Sequence, residues 1–152
     1  MQHLEEARNS AAQDETIKNA SPSLSRKELC QQLLKSAYQL TISGSYRNAQ
    51  SLNDLVLRLA QASGDADAAA AAQVQNAYLF REEGDLAAAL QAVGKALDHY
   101  ESHPGTKHGL ISAYQTQGLC YIAQSDFARA LECYHHALNL SQEIKPARRP
   151  RC

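Results

Sequence analysis

The chain resembles itself at a nearly fixed offset, and this limits what it can fold into more than any other feature. Ala130 is preceded by Ala89 forty-one residues earlier, and by Ala49 a further forty back. Ala137 steps back in the same way to Ala96 and Val56, Gly118 to Ala77 and Ala37, and Tyr121 to Phe80 and Leu40. Phe127 steps back to Leu86 and Tyr46, each just after a turn-like "QSD", "EGD" or "SGS". Columns that agree in size and chemistry at one pair of offsets mark an internal repeat, in which each copy is one supersecondary unit. The column of Tyr134 is looser, passing through Val93 to Asn53, so the first copy diverges most.

Each copy reads as a helical hairpin. In the third, Tyr114, Gly118 and Tyr121 recur at the spacing of one helical face, and Ser125 with Asp126 supplies turn and N-cap chemistry. A second helix follows, with Phe127, Ala130, Leu131, Tyr134, Ala137 and Leu138 expected on its inner side. The second copy repeats the plan with Ala77 and Phe80, the turn "EEGD", then Leu86, Ala89, Leu90, Val93, Ala96 and Leu97. Gly64 in "ASGDAD", and Pro104 with Gly105 in "SHPGTK", stop one hairpin and start the next. Where the two helices cross, a side chain larger than alanine would push them apart. Gly118 is therefore expected to face Ala130, Ala77 to face Ala89, and Ala37 to face Ala49. Units of this kind cannot bury their apolar faces alone, so they stack. The expected fold is all-α: a right-handed solenoid of about three antiparallel hairpins, near 29–62, 66–102 and 107–145, within a repeat domain spanning 24–145.

The ends are less regular. Residues 1–23 are polar with a thin apolar stripe of Leu4, Ala7, Ala11 and Ile17, which reads as a capping helix over the first hairpin or as a frayed arm. Residues 146–152 form a basic tail broken by Pro146 and Pro150, expected to be a solvated end. A stable array normally ends in a polar capping helix, and the sequence shows none after the third hairpin. The chain is then part of something longer, or it caps itself by pairing with another copy.

Composition excludes several classes of function. Charged residues are 20% of the 152, and the formal net charge of -1 offers no broad basic face for nucleic acid. The opening "MQHLEEARNS" lacks the apolar core of a secretory signal, and no apolar run approaches a bilayer span. A soluble, cytoplasmic protein with no nucleic-acid or membrane partner is expected. Cys30, Cys120, Cys133 and Cys152 include no CxxC pair and read as small core or incidental thiols. His99 and His103 share a helical face, but no nearby Glu or Cys completes a metal set. Glu82, Glu83 and Asp85 read as a solvated cap beside Arg81. No phosphate loop or nucleophile elbow is present, so neither an enzyme nor a cofactor or metal site is expected.

The stretches "AYQTQGLCYIAQSDFARALECYHHALNL" and "NAYLFREEGDLAAALQAVGKAL" resemble the tetratricopeptide repeat family, whose small and aromatic columns fall on Gly118, Tyr121, Ala130, Tyr134 and Ala137. The resemblance covers about 31–142. The period exceeds the family's roughly 34 residues by nearly two helical turns, and the proline that usually closes a repeat is missing after Leu140. Long-period versions are similar to those of bacterial signalling regulators. The structural columns the resemblance implies are Ala37, Leu40, Ala49, Ala77, Phe80, Ala89, Ala96, Gly118, Tyr121, Ala130, Tyr134 and Ala137.

In a stacked array the first helix of each hairpin lines a concave groove. Its free face is expected to carry Leu34, Tyr38 and Thr41 in the first copy, Val74, Tyr78 and Arg81 in the second, and Gln115, Leu119 and Ile122 in the third. Such a surface is apolar and aromatic with a single cation. Family members that clamp a peptide carboxylate use Lys, Asn and Arg here, where this chain has Leu34, Tyr38, Val74 and Tyr78. The expected function is a non-catalytic module that binds a protein or peptide segment. The alternative is a regulatory or oligomerisation segment of a larger, bacterial-type signalling protein, self-associating through the same surface, for example as a homodimer.

Overall fold

The structure is a computed structural model that describes residues 25–103 and 106–144. The N-terminal arm, the basic tail, Cys152 and the Pro104–Gly105 stop lie outside the described residues. Among the described residues six helices follow one another: α1 (Arg26–Ile42), α2 (Tyr46–Ser63), α3 (Ala66–Glu83), α4 (Leu86–Ser102), α5 (Lys107–Ala123) and α6 (Phe127–Ile144). Each has 17 or 18 residues, or about 26 Å at 1.5 Å per residue. The long period is thus taken up as helix length rather than as loop.

The chain reverses through recurring chemistry. Gly44, Gly84 and Ser125 occupy the same place in the three hairpin turns, and all have positive φ, of 86°, 86° and 61°. In each turn the next residue's N–H closes back on the column residue that ends the first helix: Ser45 to Leu40 O at 2.8 Å, Asp85 to Phe80 O at 2.9 Å, Asp126 to Tyr121 O at 2.9 Å. This is the Schellman closure, which satisfies helix-end carbonyls at a left-handed residue. Side chains then open the following helix, with Asp85 accepting from Ala88 N and Asp65, between hairpins, from Ala68 N.

Packing is chiefly between neighbours, α1 with α2, α3 with α4 and α5 with α6, and each hairpin on the next. Two cores form in series. Cys30, Val56, Ala60, Ala68 and Ala72 join the first hairpin to the second. Ala70, Val74, Ala77, Val93, Ala96, Leu97, Tyr100 and Ala113, with others, join the second to the third. The crossing alanines Ala37, Ala49, Ala77, Ala89 and Ala130 are all buried. At Gly118, however, the nearest side chain is the ring of Tyr134, which would lie 2.9 Å from an added Cβ. The space that glycine leaves open holds an aromatic ring, not only the opposite alanine.

One expectation is overturned at the end of the array. The sequence pattern puts Phe127, Leu131 and Leu138 on the inner side of α6, but they are 65%, 59% and 54% exposed. Their counterparts Leu86 and Leu90 are half-buried, and Leu97 is buried in the core that joins α4 to the third hairpin. Among the described residues nothing stacks on α6.

Candidate interaction groove

A cavity of about 770 Å³ opens on the face formed by α1, α3 and α5. Tyr38, Thr41 and Ile42 line it from α1, Ala71, Val74, Gln75 and Tyr78 from α3, and His108, Gly109, Ser112, Gln115 and Thr116 from α5. Tyr46 and Tyr100 close it from the ends of α2 and α4 that adjoin these helices. Of the nine residues expected there, Tyr38, Thr41, Val74, Tyr78 and Gln115 line this cavity. Leu34 packs against the first core instead, and its carbonyl accepts from Gln75 Nε2 at 3.0 Å. Leu119 is half-buried and Ile122 exposed, both outside the cavity.

The course of the cavity explains this distribution. The lining residues lie in the C-terminal half of α1, the middle of α3 and the N-terminal half of α5. The cavity therefore crosses the three helices obliquely. Copying one set of positions through a fixed period draws a groove at constant height, so it misses Ile42 at one end and His108 and Ser112 at the other. Tyr46 and Tyr100 were missed because they belong to second helices. Only the adjacency of their helix ends to α1 and α5 brings them in.

The lining includes no Lys, Arg, Asp or Glu. Arg81 lies beside it, its guanidinium 5.1 Å from the Tyr78 ring centroid and 2.6 Å from the Glu82 carboxylate. The cation is thus covered by an aromatic face and paired with a carboxylate. Tyr100 is buried, and that burial, with the Asp67 charge adding to it, pushes its phenol up to about 12. The ring fills the space that the missing side chain of Gly109 leaves on α5. On the third hairpin Tyr114 donates to Glu101 at 2.6 Å and stacks on His136. Burial first, and then Glu101, hold its phenol near 12. The surface offers rings, amides and hydroxyls, with no carboxylate, ammonium or guanidinium in the lining.

Chemistry elsewhere is subdued. Burial raises the thiols of Cys30, Cys120 and Cys133, which keeps them protonated and poorly nucleophilic. His99 pairs with Asp67 at 2.6 Å, and His103 Nδ1 lies 2.8 Å from the His99 carbonyl. Among the described residues no group of His, Cys, Asp and Glu could hold a metal ion, and no helix is long and apolar enough to cross a membrane.

No curated protein matches the chain. A family model described as tetratricopeptide repeat matches residues 68–143, half of the sequence, from the start of α3 almost to the end of α6. Domains of that family bind protein partners and are generally non-catalytic. Paired helices, small-residue crossings and serial cores agree with this match over the second and third hairpins, and the first hairpin extends the same plan: the chain belongs to the tetratricopeptide repeat family.

Proposed function

We propose that this chain is a non-catalytic interaction module that captures a short, uncharged, apolar or aromatic segment of a partner protein in the oblique groove. The observation that carries the reading is the lining itself: four tyrosines, with amide, hydroxyl and imidazole groups that complete a lining drawn from all three hairpins, and no Lys, Arg, Asp or Glu among them. Tyrosine offers large contact area at small entropic cost and a polar tip for orientation, so it anchors interfaces well. Ligand sites commonly enclose about 300–1,000 Å³, so a cavity of about 770 Å³ seats a few side chains of a segment rather than a whole domain. With no lysine or arginine in the lining, a free C-terminal carboxylate has no counter-charge there.

Selection from a displayed library of random peptides tests this. Binders should be rich in apolar and aromatic residues, and their affinity should change little between low and near-molar salt. Tyr78→Ala and Tyr38→Ala should each weaken them by about tenfold or more, as for a central aromatic anchor. Binders that are charged, salt-sensitive or indifferent to both substitutions would remove the groove from the account.

A further inference from the structure

The two ends of the array are built differently, and the difference identifies a second interaction surface. On α1 the outer positions are Glu28, Gln32, Ser36 and Gln39, all exposed. Forty residues on, the same positions are Ala68, Ala72, Asn76 and Leu79, all buried within the array. The first hairpin thus has a polar outer face, as a terminal repeat requires. The last hairpin has the reverse. Phe127, Leu131 and Leu138 are bare on α6, while of the matching residues on α4 Leu97 is buried in the core shared with the third hairpin and Leu86 and Leu90 are half-buried.

We propose that this face of α6 is a homodimer interface, in which α6 of a second copy packs antiparallel across a two-fold axis. Head-to-tail stacking would set Phe127, Leu131 and Leu138 against Glu28, Gln32 and Gln39, burying polar groups against hydrocarbon. It would also leave both surfaces free to propagate without closing. The α6 face is instead complementary to itself. With the axis between Leu131 and Tyr134, Phe127 of each copy stands level with Leu138 of the other. The two Leu131 side chains are then offset by only about 4.5 Å along the helices and meet across the axis. The two-fold closes, and each copy supplies to the other the apolar cover that α5 gives to α4. This surface is separate from the groove, so the dimer leaves the groove open.

Light scattering after size exclusion, over a range of concentration, tests the proposal on the full chain, on Leu131→Glu, on Leu138→Glu and on the groove variant Tyr38→Glu. The wild type should approach twice the 16.6 kDa chain mass as concentration rises, and no further. Leu131→Glu should raise the dissociation constant at least about thirtyfold, the size of a central hot spot, since a two-fold places the substitution in the interface twice. Leu138→Glu should act in the same direction. Tyr38→Glu should leave the dimer intact. Because the substituted α6 side chains are exposed, helicity by circular dichroism should match the wild type. A wild type that is monomeric throughout, a mass that keeps growing, or a dimer lost in Tyr38→Glu and kept in Leu131→Glu overturns it.

Discussion

Ser125 does with a side chain what Gly44 and Gly84 do without one. All three sit in the left-handed region at the hairpin turn, with Ser125 at φ 61°. For an L-residue with a Cβ this region costs roughly 1–2 kcal/mol, part of which glycine gives back through a freer unfolded chain. Ser125→Gly is therefore expected to stabilise the protein by about 0.5–1 kcal/mol, seen as a rise of a few degrees in the thermal midpoint. An unchanged or lower midpoint would mean that the serine side chain contributes something the turn needs. The turns were the most legible residues in the sequence, because a left-handed position followed by an N-cap needs "GD", "GS" or "SD". Asn53 was much less so. It sits in the column of Val93 and Tyr134, fully buried, and its amide finds no hydrogen-bond partner among the described residues. The repeat column puts the position on the inner face, but nothing in the pattern shows that its amide would stand there without a partner.

At the scale of the helix, two glycines that look alike in sequence are expected to respond in opposite ways. Gly94 lies within α4, and an added Cβ would meet nothing within 4 Å. Gly109 lies in the first turn of α5, where the Cβ would enter the ring of Tyr100, itself held in the second core. Gly94→Ala should stabilise by about 1 kcal/mol through helix propensity. Gly109→Ala should destabilise by about 1–3 kcal/mol through overpacking. Denaturant midpoints of the two variants check the pair, and a rise in both would show that backbone propensity outweighs the Tyr100 contact. Helix faces were legible where a column is filled by a small residue, since such a residue is selected by the crossing itself. They were not legible at Phe127, Leu131 and Leu138. An apolar stripe looks the same whether or not another hairpin lies on it.

For the whole molecule, alkaline pH should loosen the stacking. The phenols of Tyr100 and Tyr114 are both raised from about 10 to about 12, chiefly by burial. Folding therefore favours their neutral forms. That contribution is complete below pH of about 10 and is lost as pH climbs towards about 12. Chemical stability measured in steps across this range should fall, and Tyr100→Phe, which keeps the packed ring without the titrating group, should flatten the fall. A Tyr100→Phe curve that overlays the wild type would assign the loss to other groups.

The oblique course of the groove has a mechanical meaning. In a linear array held only by neighbour contacts, the end units fray independently of one another. A ligand lying along the diagonal touches the tip of α1, the middle of α3 and the base of α5 at once, and so ties the first hairpin directly to the third. Such a ligand acts as a brace. Occupancy would make the first and third hairpins open together or not at all, turning three loosely linked units into one.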